Sequence, residues 1–323
     1  MKVVITGGAG FIGSHIAETL SNDPENTVII IDNLSTGNKK NIEQIITKDN
    51  VKFVWGDITN IEHCKKVITS DIEAVCHQAA LGSVPRSIDD PLNSHNSNVN
   101  GFLNVLLCAK EAGVKRVVYA SSSSVYGDNK NLPKEESCIG KQLSPYAVTK
   151  HIDELYAGVF TSCYGMECIG FRYFNIFGPR QDPKGPYAAV IPKFTSALIK
   201  DVEPVINGDG TFSRDFTYID NAVSANILGM TTSNSKCFGE AFNVGTGGQV
   251  TISELYKKLR ESFEKNMGLT RNKNPILGKL RSGDVPHSRA NINKAKELLN
   301  YQVLVDFETG IDELMKFEKL QKY

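Results

Sequence analysis

The sequence predicts an α/β protein: a doubly wound parallel sheet followed by a second, smaller α/β substrate-binding domain. Three observations carry that prediction. Short, near-continuous apolar runs alternate with amphipathic stretches through the first half of the chain, as expected of a parallel sheet covered on both faces. A glycine-rich turn, Gly7-Gly8-Ala9-Gly10-Phe11-Ile12-Gly13, joins the first apolar run to the first amphipathic stretch. After about residue 175 the alternation stops, and Gly178, Pro179, Pro183, Gly185 and Pro186 mark a long loop.

Taken in order, the candidate strands are Lys2–Thr6, Val28–Ile31, Val51–Val54, Ala74–His77, Arg116–Ala120 and Cys168–Tyr173. Helical patterns lie between them near Ile12–Asn22, Lys39–Thr47, Ile61–Ser70, Pro91–Ala112 and Pro145–Tyr164. Right-handed crossovers between parallel strands then give a Rossmann-type sheet. Turn signals at Asn207-Gly208-Asp209-Gly210 and Gly245-Thr246-Gly247-Gly248 punctuate the second part, which ends in helical patterns near Ser253–Lys265 and Asn293–Leu299. The expected division is residues 1–175 for a dinucleotide and 176–323 for a second ligand, with about 215–243 returning to the first unit.

Composition narrows the class. The 323 residues carry 36 acidic and 36 basic side chains, a balance that gives no sign of a nucleic-acid or other polyanion surface. No apolar run approaches the roughly 18 residues that span a bilayer, and Met1 leads straight into a strand pattern rather than a signal peptide. The seven cysteines are scattered, with Cys163 and Cys168 the nearest pair and no histidine at a metal-site interval from them. Reduced thiols in a cytoplasmic protein, and no metal, are expected.

The glycine turn has a strand before it and a helix after it, the context in which a pyrophosphate sits on a helix N-terminus. Asp32 ends the second strand 19 residues past Gly13, where a carboxylate accepts from an adenosine ribose diol and repels a 2′-phosphate. NAD is therefore expected rather than NADP, with Lys39 and Lys40 as the counter-argument. Asp57, after the third strand, is placed to touch the adenine amino group or to cap the following helix.

The chemistry is expected around residues 121–150. Four serines, Ser121 to Ser124, precede Ser144-Pro145-Tyr146-Ala147-Val148-Thr149-Lys150. Ser144 can cap a helix that starts at Pro145, which sets Tyr146 and Lys150 one turn apart on one face. A phenol is a poor base at neutral pH, but a nearby ammonium and the positive helix end both stabilise phenolate. A hydroxyl from the serine run could hold a substrate alcohol against it. By itself the Tyr–Lys spacing also fits an ordinary surface helix.

With these features stand Gln78-Ala79-Ala80, Asn98-Val99-Asn100-Gly101, Arg172-Tyr173-Phe174-Asn175, Arg214-Asp215-Phe216 and Gly283-Asp284-Val285-Pro286. In this order, nearly end to end, they resemble the extended short-chain dehydrogenase/reductase family, and within it the nucleotide-sugar 4-epimerases. The chain is most similar to epimerases acting on UDP-N-acetylglucosamine, through Ala80-Leu81-Gly82-Ser83-Val84-Pro85-Arg86-Ser87, Gln181-Asp182-Pro183 and Tyr187-Ala188-Ala189-Val190-Ile191-Pro192.

The resemblance implies tightly held NAD and a hydride shuttle at C4 of a UDP-sugar. Tyr146 would remove the 4-hydroxyl proton; Lys150 would support it and bond the nicotinamide ribose; Ser122, with Ser123 beside it, would share the proton path. NAD would lie against Gly7, Gly10, Phe11, Ile12, Gly13, Asp32, Asn33, Ser35, Thr36, Gly37, Asp57, Ile58, Gln78, Ala79, Ala80, Asn98, Tyr146, Lys150 and Tyr173. The UDP-sugar would meet Gly82, Ser83, Arg86, Ser122, Ser123, Asn175, Gln181, Ala189, Val190, Lys193, Val205, Asn207, Arg214, Arg281, Asp284 and Ser288.

Related dehydratases place an Asp-Glu pair where Ser123 and Ser124 stand, and UDP-xylose-forming decarboxylases a Glu where Ser124 stands, so both activities are disfavoured. Members restricted to non-acetylated hexoses carry a bulky Tyr where Ser288 stands. Serine there, with small Gly82 and Ala189, leaves room for a 2-acetamido group. Conversion of UDP-glucose/UDP-galactose remains an alternative, as does that of UDP-hexuronates if Arg86 or another basic side chain faces C6. A non-catalytic NAD sensor is disfavoured because both Tyr146 and Lys150 are present. The resemblance also implies a homodimer packed through the helices near Pro91–Ala112 and Pro145–Tyr164, and a place in polysaccharide biosynthesis.

Overall fold

The computed structural model describes residues 1–184, 187–280 and 285–322. Its centre is a seven-stranded sheet of β1 (Lys2–Thr6), β2 (Thr27–Asp32), β3 (Val51–Trp55), β4 (Ala74–His77), β5 (Arg116–Ser122), β6 (Glu167–Tyr173) and β7 (Glu240–Val244). All pairings are parallel, in the order β7-β6-β5-β4-β1-β2-β3. The order reverses at β1, so a crevice opens beyond the carboxyl ends of β1 and β4, where doubly wound sheets bind ligands.

Alternation within strands sends apolar side chains to both faces. Val3 and Ile5 of β1 and Val28 and Ile30 of β2 pack in one buried cluster, while Val4, Ile29 and Ile31 pack in another. The first face is covered by α1 (Phe11–Ser21), through Ile16, Ala17 and Leu20, and by a later helix at Ile219–Thr231. On the second face lie α2 (Gly101–Ala112), through Phe102, Val105, Leu106 and Ala109, and α3 (Pro145–Tyr164), through Ala157 and Phe160. The first cluster continues unbroken into the C-terminal part, reaching Phe194, Leu255, Phe263, Ile311 and Met315. Each such side chain contributes about 1.5–3 kcal/mol on full burial, so this shared core ties the second part of the chain to the sheet. Among the described residues no helix is long and apolar enough to cross a membrane.

The structure departs from the sequence reading in four places. Residues Lys39–Thr47 form two single turns, Lys39–Asn41 and Ile45–Thr47, instead of a helix. The amides of Asn38 and of the Asn41 side chain both donate to the Ala9 carbonyl at 2.9 Å, which straps the segment to the glycine turn. The helix expected over Ile61–Ser70 ends at Lys65. The stretch Pro91–Ala112 is helical throughout but widens into a π turn at Asn96–Asn100, where Asn98 is turned inward. Finally, β7 joins the sheet edge in the register Glu240↔Ile169 to Val244↔Tyr173. Its sequence hides it because Asn243 interrupts the apolar run. That buried side chain accepts from the Tyr126 hydroxyl at 2.6 Å and donates to the carbonyls of Lys134 and Asn291 at 2.9 Å.

Candidate active site

A cleft of about 660 Å³ lies over the carboxyl ends of β1 and β4. The glycine turn forms its floor. Gly7 has φ +67°, and a Cβ there would fall 2.6 Å from the backbone nitrogen of Ala79. Gly10 caps α1 without any side-chain bond, which leaves the first amides of the helix for a ligand. Asp32 is buried; its carboxylate accepts the N–H of Ala9 at 2.9 Å and of Leu34 at 2.7 Å. Burial pushes its carboxyl up, against the pull of those two donors. Asp57 accepts from Thr59 and from the Asn33 side chain at 2.9 Å. These bonds outweigh burial and leave it below the usual carboxylate range. The cap of the following helix is Asn60, so Asp57 shapes the turn and faces the cleft.

Phe11, Ile12, Gly13, Ser35, Thr36, Ile58, Gln78, Ala79 and Ala80 also line this cleft. Two expected cofactor residues do not. Gly37 stands behind Asp32, where a Cβ would fall 2.8 Å from the carboxylate. Asn98 is fully buried and acts at one remove: it accepts from the Leu81 N–H at 2.8 Å and donates to the Thr149 hydroxyl at 3.0 Å. It thereby fixes α3 against the loop after β4.

In α3, Ser144 accepts the Ala147 N–H at 3.2 Å and Pro145 occupies the first turn, as the sequence indicates. The backbone N–H of Tyr146 donates to the Ser87 hydroxyl at 3.0 Å, which fixes where the helix begins. Lys150 is buried and its Nζ donates to Asp153 Oδ2 at 3.1 Å. Both Tyr146 and Lys150 line the cleft opposite the glycine turn. Behind them His77 bonds the Thr6 hydroxyl at 2.8 Å; burial, helped by the Lys150 charge, holds its imidazole far below the usual range. The Tyr173 hydroxyl donates to Gln78 Oε1 at 3.1 Å and accepts from Asn226 at 2.7 Å. Burial pushes that phenol up, so it serves as a fixed wall.

Tyr146 also borders a second compartment of about 190 Å³, lined by Ser122, Ser123, Ser124, Asn175, Arg214 and Ser288. Ser122 accepts the Ser124 N–H at 3.1 Å. Ser121 instead lines the large cleft and donates its hydroxyl to Glu154 at 2.5 Å, so the serine run divides between the two cavities. Asn175 and Arg214 lead on to a third cavity of about 230 Å³, which Gln181, Ala189, Val190, Lys193, Val205 and Asn207 line. The Arg214 guanidinium donates to the carbonyls of Ser213 and Pro286 at 2.9 and 3.0 Å.

Some expected substrate residues stand elsewhere. Gly82 and Arg86 line the large cleft rather than the compartment beside Tyr146, and Ala189 lines the large cleft and the third cavity. Arg86 lies over the Tyr187 ring at 5.1 Å. Ser83 caps the short helix Val84–Asp89 by accepting the Arg86 N–H. Arg281 and Asp284 lie outside the described residues.

The structure adds residues the sequence reading did not place at the site. Val84, Lys134, Leu143 and Ser144 line the compartment, and Ser124 Oγ is buried there without a partner among the described residues. Lys134 is 4% exposed on the loop after β5. Its backbone pairs with the distant segment at Ala290, while its ammonium donates to the nearby Asn129 carbonyl. Asp153 behind Lys150 could have been suspected from its three-residue spacing.

The fold and cavities thus describe a large cleft at the carboxyl ends of β1 and β4 that shares Tyr146 with a smaller polar compartment. The sequence profile of the NAD dependent epimerase/dehydratase family matches residues 3–245, and the chain belongs to that family, within the extended short-chain dehydrogenase/reductases. Its cofactor is NAD. A putative UDP-glucose 4-epimerase of Methanocaldococcus jannaschii is 36% identical over 318 residues, covering 98% of each chain. Among solved structures, UDP-N-acetylglucosamine 4-epimerase from Methanobrevibacter ruminantium M1, in complex with UDP-N-acetylmuramic acid, is 38% identical with a TM-score of 0.91, covering 99% of this chain and 98% of that one. UDP-glucuronic acid 4-epimerase from Bacillus cereus, in complex with UDP-glucuronic acid and NAD, is 29% identical with a TM-score of 0.89 and full coverage of both.

Proposed function

We propose that the protein is a UDP-sugar 4-epimerase that interconverts UDP-N-acetylglucosamine and UDP-N-acetylgalactosamine. One observation carries this reading: Tyr146 borders both the dinucleotide cleft and the polar compartment, so a single phenol can exchange a proton with a sugar hydroxyl facing the cofactor.

The uncapped start of α1 holds the pyrophosphate, and Asp32 accepts from the adenosine ribose diol. Arg214 and Asn175, between the compartment and the third cavity, hold the diphosphate and ribose, with uracil against Val190 and Lys193. Bound NAD supplies a reversible hydride acceptor at C4 of the sugar. Tyr146, as phenolate beside the Lys150 ammonium, takes the 4-hydroxyl proton and later returns it. Ser122 and Ser123 hold the same oxygen. Between the two transfers the 4-keto hexose turns its other face, which requires a loosely fitting compartment and a firmly held UDP. No carboxylate stands at Ser123 or Ser124 to eliminate water.

The 2-acetamido preference rests on Ser288, the one of the three small residues that lines the compartment beside Tyr146. A second reading, a UDP-hexuronate, is favoured by Lys134 on that wall, whose buried ammonium donates to the Asn129 carbonyl and is disfavoured as a cation by burial; Arg86 is less suited because it stands in the large cleft. Residues 1–175, with 215–243 returning, are assigned to NAD, and 176–323 to the nucleotide sugar. Exposed Val148, Leu155 and Val159 on α3 suit the packing face of a homodimer.

The test is to incubate purified protein with UDP-N-acetylglucosamine, without added cofactor, and resolve the C4 epimers. Failure to form UDP-N-acetylgalactosamine, or tenfold faster turnover of UDP-galactose or a UDP-hexuronate, overturns the substrate assignment. Tyr146→Phe should abolish turnover while NAD stays bound; turnover that survives the change overturns the role given to Tyr146.

A further inference from the structure

Lys150 and Asp153 form an ion pair of 3.1 Å whose side chains are each 1% exposed. The second carboxylate oxygen, Oδ1, is buried and has no partner among the described residues. A buried ion pair of this kind adds little net stability compared with neutral residues of similar shape. Its position is informative. The lysine faces the cleft beside Tyr146, while Asp153 lies one turn further along α3, away from the helix start that carries the tyrosine.

We propose that Asp153 is a positioning residue for the reaction: its carboxylate anchors the Lys150 ammonium beside Tyr146 and moderates the field that the ammonium exerts on the phenol. This rests on the proton-transfer role given to Tyr146 above. An epimerase must take a proton and return it within one turnover, so a base held too strongly as phenolate fails in the second half. Pairing Lys150 with a carboxylate makes the buried couple neutral overall and weakens its pull on the phenolate. It also commits one of the three ammonium donors to the helix, leaving the rest to point into the cleft.

The other groups able to act on the pair are few. His77 from β4 senses the Lys150 charge, and its burial keeps it uncharged. Tyr119 from β5 senses Asp153 and Glu154. Glu154, on the same helix, pairs with Arg172 of β6 at 2.8 Å, and its charge still helps to raise the Asp153 carboxyl. From α2 the contact to His77 and Tyr119 is the uncharged ring of Phe102. Asp153 is thus the carboxylate that compensates Lys150, and burial pushes it up to about 7 against the lysine's pull.

The test reads Tyr146 directly. Tyrosinate absorbance of the NAD-loaded protein is titrated with and without Tyr146→Phe, and the difference isolates that phenol. Repeating this in Asp153→Asn should move the midpoint down by about one pH unit, the usual effect of a nearby charge. The acid limb of kcat against pH should move the same way, with KM for the UDP-sugar little changed. Asp153→Glu should restore the native midpoint. Asp153→Ser, which leaves room for a water against the ammonium, should move as Asn does and serves if the Asn variant folds poorly. An unchanged midpoint, even with lowered stability, overturns the proposal and leaves Asp153 a structural partner only. Failure of the Tyr146 reading would appear instead as turnover surviving Tyr146→Phe.

Discussion

The carboxylate of Asp32, at the end of the second strand, accepts the backbone N–H of Ala9 at 2.9 Å and so locks the end of β2 to the glycine turn it faces. If Asp32 also holds the adenosine ribose, as proposed, cofactor recognition and folding of the turn share one side chain. Asp32→Ala should weaken NAD binding tenfold or more, as expected when a charged hydrogen-bond partner worth about 1.5–3 kcal/mol is removed. Discrimination against NADP should also narrow. Parallel titrations with both dinucleotides check this, and an unchanged NAD-to-NADP ratio would refute the ribose assignment.

The conformation of Gly7 cannot accept a side chain. A Cβ would meet Ala79 backbone at 2.6 Å from a residue with φ +67°. Gly7→Ala should lower stability by about 1–3 kcal/mol and abolish co-purification of NAD, seen as a lower Tm and loss of cofactor absorbance. A variant that keeps its NAD at native Tm contradicts the close approach.

Ser288 is 5% exposed and lines the compartment beside Tyr146. Ser288→Tyr should fill space needed by a 2-acetamido group, costing UDP-N-acetylglucosamine turnover at least tenfold while sparing UDP-glucose. Comparing kcat/KM for the two sugars decides the matter. An equal loss on both would mean that Ser288 does not set the choice.

Asp153 gives a pH signature in stability as well as in catalysis. Its proton is held more tightly in the folded protein, up to about 7, than in the unfolded chain. The contribution to stability is thus complete below the ordinary carboxylate range and is lost as pH rises through about 7. Cofactor-free protein should lose Tm from this group between pH 5 and pH 8, and Asp153→Asn should show a flatter curve. Parallel curves for the two proteins would show that Asp153 does not hold its proton in this way.

Much was legible locally. The glycine turn, the acid ending β2 and the capped start of α3 are each written within a few consecutive residues, because turn geometry and helix periodicity depend on near neighbours. The apolar runs likewise announce six of the seven sheet strands, since a strand buried on both faces must be apolar throughout. The segment Lys39–Thr47 misled for the opposite reason: its helical pattern was overruled by bonds to Ala9, far away in sequence.

The sequence by itself determined the class of sheet, the glycine turn with an acid at the end of the next strand, and the placing of Tyr146 and Lys150 one turn apart on one helix. Only the tertiary structure decided that β7 closes the sheet edge and that Lys134 is buried in the wall of the second compartment. It also separated Ser288 from Gly82 and Ala189, and enclosed Asp153 with Lys150 at 1% exposure. The physical reason is range. Backbone turns and periodic faces follow from adjacent residues, whereas burial, and with it the energy of a charge, is set by whatever distant segments the fold brings alongside.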